Sequence, residues 1–136
     1  MKIMGIDPGG KTTGICVAVD KPKSDPAPIY SNEYSLEDSY HGIRSAVTVH
    51  RPDVIIIEDV VKTGQMNTDK FNQVRAFERA FIAGSTAPAG KKIQINTISP
   101  QHTRACKVEV PKEVKGRHAR DAYRVATAWS YKRWQH

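Results

Sequence analysis

Cysteine is scarce in this chain. There are two, Cys16 and Cys106, far apart in 136 residues. They support neither a disulfide framework nor a cysteine-based zinc site. Cys16 lies in the apolar run Gly14-Ile15-Cys16-Val17-Ala18-Val19, where a buried free thiol is the default. Long apolar stretches are also missing, so no segment reads as a membrane span. No leader pattern stands out. These absences predict a cytoplasmic protein in a reducing compartment, with no membrane partner. Repeats are absent too, and the length suits one domain over residues 1–136.

Negative charge is short in one place only. Residues 101–136 carry nine Lys and Arg against three Asp and Glu, whereas residues 1–100 are nearly balanced. The overall charge of +7 therefore sits almost wholly in the last quarter. A basic zone on one part of a small protein suits a polyanion partner, although a solvated charged surface has the same composition.

The apolar fraction of 39% supports a real core. Residues 2–7 and 14–19 read as two strands joined by a short connection, hence antiparallel neighbours. Residues 20–28 hold three prolines and predict a loop. A third, less buried strand follows over 29–34. Ser35 and Asp38 have capping-box spacing, and Leu36, Tyr40, Ile43 and Val47 recur with helical period up to Arg51-Pro52. Four β-branched residues, Val54 to Ile57, predict a central strand covered on both faces.

A loop is expected at 62–67, a helix over 68–83 and a loop at 84–92. A half-buried strand is expected over 93–98, and a short helix from Ser99-Pro100 to about Cys106. Residues 107–117 are basic and contain Pro111 and Gly116, which predicts a mobile loop. The last helix runs from about residue 117 to 134 and packs a face of Ala119, Ala122, Ala126 and Trp129. His118, Asp121 and Val125 lie on a different face. The order β-β-β-α-β-α-β-α implies a mixed sheet with helices on its faces.

Three separated segments each offer a carboxylate. Asp7 ends the first strand and is followed by Pro8-Gly9-Gly10. That turn exposes backbone groups and allows close approach, although an Asp-Pro-Gly turn also serves as a plain strand end. Lys11, Thr12 and Thr13 stand next to it, in reach of a phosphate. Glu58 ends the most apolar strand. It shares the parity of Ile56, so Asp59 points the other way. His118 and Asp121, three apart at a helix start, share a face. Separated carboxylates brought together suit a divalent-metal site acting on phosphates, and histidine adds a borderline ligand or proton acceptor.

Three segments, Ile3-Met4-Gly5-Ile6-Asp7-Pro8-Gly9 with Thr13-Gly14, Ile55-Ile56-Ile57-Glu58 and His118-Ala119-Arg120-Asp121-Ala122, resemble the RuvC-like Holliday-junction resolvases of the ribonuclease H-like (retroviral integrase) superfamily. The resemblance spans nearly the whole chain in the right order. It implies an α/β, ribonuclease H-like fold: a five-stranded mixed sheet, its first three strands antiparallel, flanked by helices. It implies a Mg²⁺-dependent endonuclease, with Mn²⁺ as a substitute and two ions per site. Asp7, Glu58, His118 and Asp121 would be both catalytic and metal-binding.

The implied partner is branched DNA, especially four-way junctions, contacted by Lys107, Lys112, Lys115 and Arg117 together with Lys11. The implied assembly is a homodimer through the helix at 68–83, where Phe71, Phe77 and Phe81 form a stripe that also suits simple core packing. Two other outcomes fit the same residues. One is a ribonuclease H-like nuclease acting on flaps, other branched DNA or RNA. The other is a catalytically silent DNA-binding module.

Overall fold

A computed structural model of the chain describes residues 1–9, 11–59 and 93–134. The helix expected at 68–83, its phenylalanine stripe and the loops at 62–67 and 84–92 lie outside the described residues.

Five strands form one sheet in the order β3-β2-β1-β4-β5. They are β1 (Lys2–Asp7), β2 (Thr12–Lys21), β3 (Ser24–Ser35), β4 (Val54–Glu58) and β5 (Gln94–Ile98). Strands β1, β2 and β3 pair antiparallel, while β4 runs parallel to β1 and β5 parallel to β4. This is the mixed ribonuclease H-like sheet that the resemblance implies. The described helices are α1 (Leu36–His50), α2 (Pro100–Ala105) and α3 (Arg117–Trp134).

Local chemistry sets the helix ends. Ser35 Oγ accepts from the Asp38 amide and donates to its carboxylate, a reciprocal cap with Asp in place of Glu. At the other end Arg51 turns left-handed at φ 48° and its amide closes on the Val47 carbonyl. Ser99 caps α2 with Pro100 at the first helical position.

The period-2 alternation sends alternate strand residues to opposite layers. Met4, Ile6, Ile15, Val17, Ile55 and Ile57 pack on Ile43, Ala46 and Val47 of α1. On the other face Ile3, Val54 and Ile56 meet Val125, Ala126 and Ala128 of α3, and Cys16 meets Ala119, Ala122 and Tyr123. The four residues Val54 to Ile57 are fully buried between these layers. Val125 is buried as well, so the face that starts with His118 and Asp121 runs into the core instead of staying apart from it.

Two expectations are corrected. Residues 24–28 are strand, and the loop shrinks to a two-residue turn at Pro22 and Lys23. Pro26 and Pro28 are tolerated because β3 is an edge of the described sheet, where a missing N–H interrupts no further ladder. The segment 107–117 is irregular but anchored rather than mobile. Val110 and Val114 are buried against Cys16 and Tyr123, and Arg120 Nη1 donates to the Val114 carbonyl at 3.2 Å. No described helix is long and apolar enough to cross a membrane.

Candidate active site at the strand ends

Register brings the first two carboxylates together. Gly5 is opposite Ile56 and Ile6 opposite Ile57 in the parallel β1–β4 ladder. One residue further, Asp7 and Glu58 come level at the carboxyl ends of neighbouring strands. Adjacent strands lie about 4.8 Å apart. Both side chains have the parity of Ile3 and Ile56, so both face α3. The row continues: Asp7 is opposite Gly14 on β2, and Gly14 opposite Glu33 on β3.

Helix α3 is seated on this row by glycines. A Cβ on Gly14 would lie 2.1 Å from the His118 carbonyl, and one on Gly5 would lie 2.2 Å from the Ala122 oxygen. Helix backbone thus rests directly on sheet backbone, which only residues without side chains permit. The helix start is thereby laid over the strand ends. His118 Nδ1 reaches Asp7 Oδ2 at 3.2 Å, with the histidine side chain 33% exposed and the aspartate 13%. Glu33 reaches the same helix start, since its Oε1 occupies the space a Cβ on Gly116 would take. The first turn of α3 has no acidic residue of its own, so Glu33 brings negative charge to its positive end.

Burial raises the Glu58 carboxyl above its usual range, and the negative charge of Asp7 raises it further. Asp121 adds to the same effect, while a hydrogen bond from Thr103 and the charge of Arg104 oppose it. Asp121 itself is in an ion pair: Arg124 Nη1 lies 2.7 Å from its Oδ1. The three expected carboxylates therefore share one electrostatic site, with Asp7 directly bonded to His118. Among the described residues, no three His, Cys, Asp or Glu side chains are grouped closely enough to hold a metal ion. The donor chemistry fits a hard divalent cation: adjacent carboxylates hold negative charge that burial makes costly and a cation would offset. Asp7 and Glu58 end neighbouring strands on the same face, whereas Asp121 is paired with an arginine.

Of the basic residues, Lys11, Lys107, Lys112, Lys115 and Arg117 are all exposed. Lys11 follows the β1 turn and Arg117 begins α3, so these two flank the row. Thr13 is only 3% exposed and part of β2, which removes its hydroxyl from the candidate phosphate contacts. Sequence reading missed Arg124, Arg104, Thr103 and Glu33. Arg124 was discoverable, since i,i+3 spacing from Asp121 on a helix implies contact. The other three reach the site only through tertiary structure.

No protein-family model matches the chain. The crossover junction endodeoxyribonuclease RuvC of Geotalea uraniireducens is 26% identical over 134 residues, an alignment covering 85% of this chain and 74% of that protein. The structure of Thermus thermophilus RuvC in complex with Holliday junction substrate superposes with a TM-score of 0.75 at 14% identity, over 98% of this chain and 96% of that one. The yeast mitochondrial Holliday junction resolvase gives a TM-score of 0.61 at 15% identity, over 98% of this chain and 78% of that one. Sheet order and strand directions are those of a ribonuclease H-like fold. In sequence and in fold the chain resembles the RuvC-like Holliday-junction resolvases.

Proposed function

We propose that this chain is a divalent-metal-dependent endodeoxyribonuclease that resolves four-way DNA junctions by paired nicks. The observation that carries the reading is the level placement of Asp7 and Glu58 on adjacent strands, beneath the helix start that holds His118. Asp7 and Glu58, with His118 and Asp121 beside them, would hold Mg²⁺ or Mn²⁺, two ions when the site is full, which supply charge stabilisation to a phosphodiester and an acidified water.

The chain's own residues do the rest. Asp7 accepts a hydrogen bond from His118 Nδ1, which fixes the ring's orientation. The ring's one lone pair, on Nε2, is then left either to ligate the cation or to take a proton from an attacking water. Lys11, Lys107, Lys112, Lys115 and Arg117 hold phosphates and orient the DNA without reading bases. Two symmetric nicks need two sites, which a second copy supplies through the segment 68–83.

The test is cleavage of a labelled four-way junction in Mg²⁺, beside linear duplex, flap and RNA–DNA hybrid, with Asp7→Asn as control. Paired nicks in the junction alone, lost in the variant, are expected. Preference for flap or hybrid keeps the metal chemistry and reassigns the substrate. The pairing of Asp121 with Arg124 favours one rival, a DNA-binding module without catalysis. Salt-dependent binding with no cleavage in either Mg²⁺ or Mn²⁺ would establish it.

A further inference from the structure

Arg124 is the feature that the nuclease reading leaves unexplained. It stands one turn beyond Asp121 on α3 and binds the one carboxylate of the expected set not already facing a neighbour on the strands. Its side chain is 36% exposed and that of Asp121 is 38%, so solvent reaches both. An exposed i,i+3 pair of this kind shifts an equilibrium only about twofold. The contact is strong enough to neutralise Asp121 at rest and weak enough to be exchanged.

The surroundings give the arginine somewhere to go. Its charge also reaches Cys106, the residue closing α2, so it lies towards the α2–α3 junction. Arg104, on α2, acts on Glu58 from that side. Two guanidinium groups thus border the carboxylates. A guanidinium matches phosphate oxygens in the same forked geometry as it matches a carboxylate.

We propose that Arg124 is the resident counter-ion of Asp121 and passes to a DNA phosphate when a divalent cation claims that carboxylate, so that cation and substrate each favour the binding of the other. This rests on the nuclease reading and assigns Arg124 as a switching residue within it. In the resting protein Asp121 and Arg124 cancel. A cation at Asp121 leaves the guanidinium without its carboxylate, and the nearest anion is the DNA backbone. By linkage, a phosphate that draws Arg124 away exposes Asp121 to the cation by the same factor.

Arg124→Gln keeps length and polarity and removes the charge; Arg124→Lys keeps the charge. Two measurements on the full chain test the exchange. The first is Mn²⁺ binding to DNA-free protein by calorimetry, where Arg124→Gln is expected to bind about twofold more tightly because a competitor for Asp121 is gone. The second is the salt dependence of four-way-junction binding, once in EDTA and once at constant Ca²⁺. In Ca²⁺ the slope of log Kd against log salt is expected to fall by about 0.9 in Arg124→Gln, the loss of one phosphate contact, and to stay at the wild-type value in Arg124→Lys. In EDTA the slope of Arg124→Gln should fall by clearly less than in Ca²⁺, because Asp121 competes there with the phosphate for the guanidinium.

An equal fall in both buffers makes Arg124 an ordinary phosphate contact and overturns the exchange. No fall in either buffer overturns it too, as does unchanged or weaker Mn²⁺ binding. Failure of the underlying reading has a different signature: wild type itself does not cut junctions, whether or not it binds them.

Discussion

Gly5 and Ala122 touch backbone to backbone: a Cβ on Gly5 would stand 2.2 Å from the Ala122 carbonyl oxygen and 3.0 Å from the Ala126 amide nitrogen. That contact sets the height of α3 above the sheet. Because α3 carries His118 and Asp121, it also sets the depth of the candidate site. Gly5→Ala should therefore cost about 1–3 kcal/mol by overpacking, or more if the helix lifts. A lower urea midpoint with loss of junction cleavage is expected. A midpoint equal to wild type would show that the helix seat is softer than this contact implies.

Burial first, and then the charge of Asp7, raise the Glu58 carboxyl above its ordinary range. A folded value above the ordinary 4.5 means the native state keeps its proton longer than the unfolded chain. Stability then falls as pH rises from the ordinary value through the raised one. Glu58→Gln removes that titration at nearly constant shape. In EDTA at neutral pH the variant should be more stable than wild type, while cleavage is lost. A less stable variant would mean that the Thr103 hydrogen bond outweighs the repulsion.

Tyr123 is buried, and its hydroxyl donates to the Pro26 carbonyl at 2.8 Å. The bond ties the middle of α3 to the edge strand β3. Tyr123→Phe leaves that carbonyl without its partner and should cost about 1–3 kcal/mol. Chemical denaturation measures this directly, with an unchanged m-value expected.

His50 titrates in the opposite sense to Glu58. Partial burial first, and then the charge of Lys2, depress it below 6.5. Its contribution to stability is present above the unfolded value of 6.5 and is lost as pH falls through the depressed folded value. His50→Gln should flatten the stability profile on the acid side of pH 6.5. An unchanged profile would assign that acid sensitivity to other groups.

The elements were legible where their signals are local. The run Val54 to Ile57 shows a strand buried on both faces, and Ser35 and Ser99 show where helices begin. The strand-end positions of Asp7 and Glu58 also follow from alternation, as does their shared face once the strands are parallel neighbours. The prolines of 20–28 misled, because proline opposes a ladder in general but not at an edge. The basic segment 107–117 misled for another reason: Val110 and Val114 are isolated apolar residues in a polar stretch, without a period to reveal that they are buried.

By itself the sequence determined which residue types stand at the ends of which elements. It also concentrated positive charge in the last quarter. Those are properties of short windows, set by side-chain period, capping and composition. Only the tertiary structure decided that Gly5 and Gly14 would seat α3, that Glu33 would reach its first turn, and that Asp121 would rest against Arg124. Two of these, the seat and the reach of Glu33, join residues distant in the chain. The third is a choice between partners, arginine or the strand-end carboxylates' cation, that spacing alone leaves open. Register and backbone approach settle such choices, because they depend on how whole elements pack and not on any window of sequence.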